Sequence, residues 1–307
     1  MNSIKVKAPA TVANLSCGFD VLGVCINKPY DEIEVIKIKE PIVKIDVLKS
    51  QFDKIPSQPE LNTGGVPALK IINDYKLDFG FYIKIKKGIP LSGGLGSSAA
   101  TASGVVFAIN KLLENRLSRK QILEYTLEGE KVSVSNPHAD NIAPCLFGGF
   151  QLLRSTELLD IIQIPIHNYF FAIIHPDIKI NTQDARKLLP KKIDLSSAIN
   201  QWGNLGSLIY GLSSNDSKII KKSMKDVIIE PLRSQLINGF YEIQENAMNM
   251  GALGCSISGS GPSIFAMSDS EEIATNIVKF SQEFYTSKSL NVDVYISKVN
   301  SSGVEVI

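Results

Sequence analysis

One stretch constrains this chain more than any other: Pro90-Leu91-Ser92-Gly93-Gly94-Leu95-Gly96-Ser97-Ser98-Ala99-Ala100. It follows an alternating run, Phe81–Lys86, with Phe81, Ile83 and Ile85 on one face, the period of a half-exposed strand. It opens a long apolar segment, Ala99–Leu113, that reads as a buried helix. Glycines between a strand and a helix let the backbone take positive φ and approach a ligand closely. The helix behind them offers unpaired N–H groups and the positive end of its dipole, which together suit an anion. Ser97 and Ser98 are placed to cap that helix and to add hydroxyl contacts to a phosphate or a metal ion. Ala99 and Ala100 keep the first turn slim. The stretch Pro90–Ala100 therefore predicts a phosphate cradle.

Two common phosphate loops do not fit. Gly94-x-Gly96-x-x-Ala99 satisfies the loose dinucleotide pattern of a nicotinamide-dependent oxidoreductase. A Rossmann unit, however, needs a βαβ with an acid ending its second strand, and here the helix leads into another helix, Ser118–Val134. A Walker loop would end in Gly-Lys-Ser/Thr, and this loop carries no lysine. Such a site must neutralise charge with Mg²⁺, backbone N–H groups and an acid held elsewhere. Glu130, on the next helix, is the candidate Mg²⁺ partner of Ser98.

Composition sets outer limits. A chain of 307 residues suggests two domains at roughly 150 residues each. The charge sum, 32 Lys+Arg against 31 Asp+Glu, is +1 and argues against a strongly basic nucleic-acid binder. No apolar run approaches the roughly 18 residues of a membrane span, and no apolar block follows the early lysines, so neither a membrane partner nor a signal peptide is expected. Cys17, Cys25, Cys145 and Cys255 show no C-x-x-C spacing, which fits reduced thiols in a cytoplasmic protein and no zinc site.

The order of elements predicts an α+β fold. Alternating runs at Ile4–Lys7, Ile33–Ile38, Ile42–Val47 and Phe81–Lys86 precede any long helix except Pro67–Tyr75, which favours an antiparallel-rich first domain. A boundary is expected near 150–165, dividing 1–160 from 161–307. The second half reads as strand Tyr169–Ile174, helices near 200–212, 217–226 and 233–249, strands Cys255–Ser258 and Ser263–Ser268, helix Glu271–Phe284 and strand Val292–Ser297. With the middle helices as one layer this is β-α-β-β-α-β, a ferredoxin-like α/β sandwich.

Two further motifs flank the glycine loop. Lys7-Ala8-Pro9-Ala10-Thr11-Val12-Ala13-Asn14-Leu15-Ser16-Cys17-Gly18-Phe19-Asp20 precedes it, and Ile257-Ser258-Gly259-Ser260-Gly261-Pro262-Ser263 follows. In this order the three resemble the signatures of the GHMP small-molecule kinases, across essentially the whole chain. The resemblance implies a two-domain fold, with a ribosomal protein S5 domain 2-like N-terminal half, 1–160, that binds ATP, and a ferredoxin-like C-terminal half, 161–307. It also implies an ATP-dependent phosphotransferase with an alcohol as acceptor, using Mg²⁺.

Within that family, Ala13-Asn14-Leu15-x-x-Gly18-Phe19-Asp20, Pro137-His138-Ala139-Asp140-Asn141-Ile142-Ala143-Pro144, Asn181-Thr182-x-x-Ala185-Arg186 and Glu230-Pro231-x-Arg233 resemble the homoserine kinase branch. The implied reaction phosphorylates the side-chain hydroxyl of L-homoserine, on the route to threonine. The residue chemistry agrees. A zwitterion's carboxylate suits the planar fork of arginine, and Arg186 and Arg233 are the candidates. Its ammonium suits Asp20, Asp140 and Asn14, with His138 placed to bond the substrate or orient Asp140.

The resemblance adds Thr182 and Gly259 to the substrate contacts and Asn141, beside Asp140, to the catalytic set. It places ATP phosphates on Gly93–Ser98, with Asn62 and Thr63 near the adenine or ribose. The Gly259-Ser260-Gly261 turn is expected either to close on the substrate or to support the phosphate loop. Asp140 is the one carboxylate of its motif that could serve as base, while the family resemblance implies that no strong base is needed. Ser16 stands where the family commonly has glycine, adding a hydroxyl near the expected substrate. Another GHMP kinase, of shikimate or mevalonate type, and a non-catalytic sensor on the same fold are the alternatives. A homodimer is expected only on the base rate for soluble enzymes.

Overall fold

The computed structural model describes residues 2–48, 55–132, 139–155, 159–180 and 182–307, with the side chains of 182–184 left out of the description. Two sheets organise it. In the first, β1 (Ser3–Ala13) runs antiparallel to β2 (Leu22–Ile38). Their outer halves alternate as expected, and Lys5 faces Glu34 while Lys7 faces Glu32. Both strands extend beyond the alternating runs. Ala8–Ala13 and Leu22–Ile26 are buried on both faces, so the period-2 signal vanishes there.

Strand β3 (Val43–Leu48) is followed by α1 (Gly65–Tyr75) and β4 (Gly80–Lys86). β4 pairs antiparallel with β2 and parallel with β3. Helices α2 (Ser97–Leu112), α3 (Arg119–Glu130) and α4 (Ala139–Phe147) complete the helical layer. α2 lies directly on β1 and β2, where Gly104 permits the approach; a Cβ there would stand 2.5 Å from the Ile33 Cδ1. α3 begins as predicted, with Ser118 and Gln121 forming a reciprocal capping box.

The stretch 150–165, expected as a boundary, carries β5 (Phe150–Ser155) and β6 (Asp160–Ile164), which extend the first sheet from β2. The glycines Gly148 and Gly149 give a turn signal, yet Phe150, Leu153 and Ile164 just beyond them are core residues.

The second unit reads β7 (Phe170–Pro176), α5 (Thr182–Lys187), α6 (Leu195–Ser214), α7 (Ser217–Ser223), α8 (Glu230–Arg233), α9 (Phe240–Asn249), β8 (Gly254–Ile257), β9 (Ile264–Ser268), α10 (Glu271–Ser287) and β10 (Val292–Lys298). Its sheet has the order β10-β7-β9-β8, antiparallel throughout, which is the ferredoxin-like arrangement expected. The helix predicted over 233–249 is broken instead. α8 and a 3₁₀ turn at Ser234–Leu236 end before α9, whose N-cap, Gly239, takes φ 83°.

The chain then crosses back. Asn300 N–H donates to the Cys25 carbonyl at 2.9 Å, and β11 (Glu305–Val306) pairs antiparallel with β1. One apolar core joins the first sheet to one face of the second through Phe171, Ile173, Phe265 and Met267, another covers the second sheet's opposite face at Ala172, Ile174, Ile264 and Ala266, and all four cysteines are buried and free, as expected for reduced thiols. No helix among the described residues is long and apolar enough to cross a membrane.

Candidate active site

The glycine loop joins β4 to α2 and borders a cavity of about 440 Å³. The N-cap of α2 is Gly96, in left-handed backbone at φ 66°, and no side chain caps the helix. The predicted capping by Ser97 and Ser98 is therefore corrected. Ser97 is buried and its Oγ donates to the Ile89 carbonyl at 3.2 Å. Glycine is required at Gly96, because a Cβ would lie 2.1 Å from the Thr11 Oγ1. It is required at Gly94 (φ 75°) for a parallel reason, with the Ser258 carbonyl oxygen 2.1 Å from the Cβ position.

Three consecutive loop carbonyls are held from outside the loop. Ser263 N–H donates to Gly93 at 3.2 Å, Ser258 Oγ to Gly94 at 2.6 Å and Thr11 N–H to Leu95 at 3.2 Å. These donors stand behind the cavity wall. Across a trans peptide, each carbonyl so held turns the next N–H the opposite way. The carbonyls of the loop are thus committed to protein donors, and a glycine-rich backbone before a helix N-terminus is suited to present N–H groups to an anion.

The cavity collects most of the residues predicted from sequence. Leu91, Ser92, Gly93, Gly94, Gly96, Ser97, Ser98 and Ala99 line it from the loop, and Glu130, Asp140 and Asn141 from α3 and α4. Asn14 and Asp20 line it from the first motif, and Arg186, Arg233 and Gly259 from the second unit. Pro90, Leu95 and Ala100 are buried behind the wall and support the loop from the core. Asn62 and Thr63 border the cavity, but the Asn62 amide is occupied locally, donating to the Pro56 carbonyl at 2.7 Å and accepting from Gly64 N–H at 2.9 Å. His138 lies outside the described residues, as does the side chain of Thr182, whose backbone opens α5.

The first motif forms an unusual turn. Asn14, Leu15 and Ser16 take φ values of 72°, 41° and 67°, left-handed backbone that costs roughly 1–2 kcal/mol per non-glycine residue. The turn lets Asn14 bridge two motifs. Its Nδ2 donates to the Gly259 carbonyl at 3.0 Å and its Oδ1 accepts the Asp20 N–H at 3.1 Å. Ser16 does not reach the cavity. Its hydroxyl is buried and has no hydrogen-bond partner among the described residues. The positive φ explains why glycine suits that position.

Arg186 pairs with Asp20 at 3.0 Å, partly exposed on both sides. Arg233 is buried, donates from Nη1 to the Gly259 carbonyl at 2.9 Å and lies over the Phe19 ring at 5.1 Å. Burial lowers its pKa, opposed by the charge of Asp20. Glu230, one turn earlier, anchors α8 by accepting from Ser256 Oγ and from Gln244 Nε2. Burial raises its carboxyl pKa, offset by those two bonds.

Sequence reasoning missed three contributors. Thr11 Oγ1 donates to the Asn141 Oδ1 at 2.7 Å and so orients that amide. Ser258 grips the loop, so the third motif supports the phosphate loop while Gly259 gathers Asn14 and Arg233. Lys87 borders the cavity from beneath the loop, paired with Asp31.

The fit to ATP rests on the glycine cradle, whose Cβ positions are closed and whose carbonyls are turned away. Ser98 and Glu130 border one cavity with a hydroxyl and a carboxylate, hard oxygen donors suited to Mg²⁺. No group of three or more His, Cys, Asp or Glu among the described residues could hold a metal unaided. Two protein donors completed by phosphate oxygens is the usual arrangement for Mg²⁺.

Comparison with known proteins agrees with this geometry. Residues 66–149 match the model of the GHMP kinases N terminal domain, and residues 197–286 that of the GHMP kinases C terminal domain. The chain is 39% identical to a homoserine kinase of Chlorobium phaeobacteroides over 321 aligned residues, covering 100% of both. It is 39% identical to a homoserine kinase of Methanococcus vannielii, covering 97% of both. The crystal structure of homoserine kinase from Cytophaga hutchinsonii superposes with a TM-score of 0.96 at 45% identity, covering 100% of this chain and 98% of that one. A mevalonate kinase from L. major shares the fold at a TM-score of 0.73 and 15% identity. The chain belongs to the GHMP kinases and, within them, to the homoserine kinase family.

Proposed function

We propose that this chain transfers the γ-phosphoryl group of ATP to the side-chain hydroxyl of L-homoserine, giving O-phospho-L-homoserine. The observation that carries the reading is one cavity bordered both by a glycine-rich phosphate loop and by two arginines with the carboxylates of Asp20 and Asp140. Family membership supports the same reaction.

In this reading the work is divided between the halves. The first, to about residue 160, holds the nucleotide: Gly93–Ser98 the phosphates, with Asn62 and Thr63 beside the adenosine. The second, from about 161, brings Arg186, Arg233 and Gly259 to the amino acid. Arg186 and Arg233 take the carboxylate, Asp20 and Asn14 the ammonium. When bound at Ser98 and Glu130, Mg²⁺ supplies charge neutralisation for the transferred group. Asn141, oriented by Thr11, faces the reacting hydroxyl. Phosphoryl transfer has a loose transition state, so these residues act by positioning and by fixed dipoles. Asp140 is the carboxylate placed to meet either the ammonium or the hydroxyl proton. An Asp140→Asn variant changed only in KM assigns it the ammonium, and one changed only in kcat the proton.

The test is ADP release by the purified protein with Mg-ATP and L-homoserine, shikimate, mevalonate or galactose. Release with L-homoserine alone is expected. Release with mevalonate or shikimate and none with L-homoserine overturns the substrate assignment.

A further inference from the structure

Lys87 and Asp31 form the most enclosed ion pair described here, with side chains 2% and 0% exposed. Neither is part of the glycine motif, yet both act on it. They extend two apolar stripes, Asp31-Ile33-Val35 on β2 and Ile83-Ile85-Lys87 at the end of β4, one step beyond the registered pair Glu32–Lys86. A charge placed on the buried face of a sheet is costly unless it is fully partnered. Here the partners are complete and directional.

The Asp31 Oδ1 accepts the N–H groups of Gly88 at 2.9 Å and Ile89 at 3.1 Å, the backbone entering the loop. Its Oδ2 accepts from Lys87. The Lys87 ammonium also donates to the Ser97 carbonyl at 2.8 Å and the Thr101 Oγ1 at 2.9 Å, the backbone and first turn leaving the loop. The Ser97 Oγ bond to the Ile89 carbonyl, 3.2 Å, joins the two ends directly. One residue pair thus cinches the neck of the loop, fixing where α2 begins relative to where β4 ends.

We propose that Asp31 and Lys87 are positioning residues for ATP, a strap that holds the phosphate loop closed at its neck so that its N–H groups converge before the nucleotide arrives. The pair carries no net charge, and its donors and acceptors are turned onto the protein. Its contribution is therefore preorganisation, which strengthens binding by removing ordering cost. It bears on the phosphate loop and not on the arginines, because its bonds go to the loop's two flanks while Arg186 and Arg233 are carried by α5 and α8 of the other unit. This inference rests on the loop being the ATP phosphate site.

Lys87→Met cuts the strap but leaves a buried carboxylate unpaired, so a stability loss is expected from that variant alone. Lys87→Met/Asp31→Asn also cuts it, while keeping a carbonyl oxygen for Gly88 and Ile89 and leaving no lone charge. Calorimetric titration of wild type and both variants with ATP, and separately with L-homoserine, alongside Tm, separates the roles. The double variant is expected to regain most of the Tm yet bind ATP at least about tenfold more weakly than wild type, with L-homoserine affinity within about twofold. Thr101→Val, which removes one arm of the strap and no charge, is expected to weaken ATP alone by about threefold, and it serves if the other variants do not fold. ATP affinity recovering with Tm in the double variant overturns the proposal, as does equal weakening of both ligands. A wild type that binds no ATP overturns the functional reading as well. A wild type that phosphorylates L-homoserine while the strap variants bind ATP normally overturns this inference only.

Discussion

Two parts of the cavity lining are built from different materials. The glycine loop is backbone: glycines in left-handed conformation, with carbonyls gripped from outside the loop. The charged part of the lining, proposed to hold the amino acid, is side chain: Asp20, Arg186 and Arg233, set on three segments far apart in sequence. A backbone site tolerates no added atom, because its contacts are at van der Waals limits. A side-chain site is tuned by the loss of single charges. The first should fail by sterics and the second by affinity for one ligand, and four measurements press on that difference.

The largest effect belongs to Gly94→Ala. Its Cβ would meet the Ser258 carbonyl oxygen at 2.1 Å, and φ 75° already disfavours an L side chain. Loss of kcat/KM on the order of 100-fold or more is expected, comparable to losing an oxyanion donor, in a coupled ADP assay. Near-normal activity would show that the cradle is not built as described.

Next is Arg233→Ala. A charge-assisted bond contributes about 1.5–3 kcal/mol, so the homoserine KM should rise roughly 10- to 100-fold while the ATP KM holds steady. Equal losses for both ligands would make Arg233 a folding residue and erase the contrast between backbone and side-chain lining.

Ser258→Ala is milder and crosses the divide. Ser258 is on the second unit, but its hydroxyl holds the Gly94 carbonyl at 2.6 Å. Loss of one such bond, about 1 kcal/mol, should raise the ATP KM about fivefold and spare homoserine.

The smallest effect is a pH dependence. His175 is partly buried against Gly93 and shares a hydrogen bond with Ser263 at 3.0 Å. Desolvation lowers its pKa below 6.5, opposed by Asp293 and Asp177. The unfolded chain then binds the proton more readily, so stability present above pH 6.5 is lost as pH falls through that value toward the folded pKa. Thermal unfolding from pH 8 to 5 should show this fall, reduced in His175→Gln; an unchanged slope would remove His175 as its source.

The same contrast explains what could be read from sequence. The glycine loop is legible because a backbone cradle compresses into one contiguous motif. Arg186 and Arg233 carry no such local sign, and only their resemblance to family motifs pointed to them. The supports were hidden for a different reason. Thr11, Ser258 and Lys87 matter through contacts with segments distant in sequence, Lys87 through Asp31. Lys87 did leave a trace, since it falls in step with Phe81, Ile83 and Ile85 on the buried face, opposite an aspartate in step with Ile33 and Val35. An alternation that ends in opposite charges on the apolar face signals a buried pair. For the fold, alternation marked the half-exposed strands. It failed at Ala8–Ala13 and Leu22–Ile26, where both faces are covered.

The return of the last strand has a consequence in time. β1 and β2 are made first, but the outer edge of β1 at Val6 and Lys7 is paired by Glu305 and Val306, nearly the full chain away. Through synthesis of everything between, that edge presents unpaired N–H and C=O groups, the template on which strands of other chains add. β11 is therefore a clasp fastened late, and slow production or a stalled ribosome would prolong the interval in which a half-made molecule can recruit its neighbours.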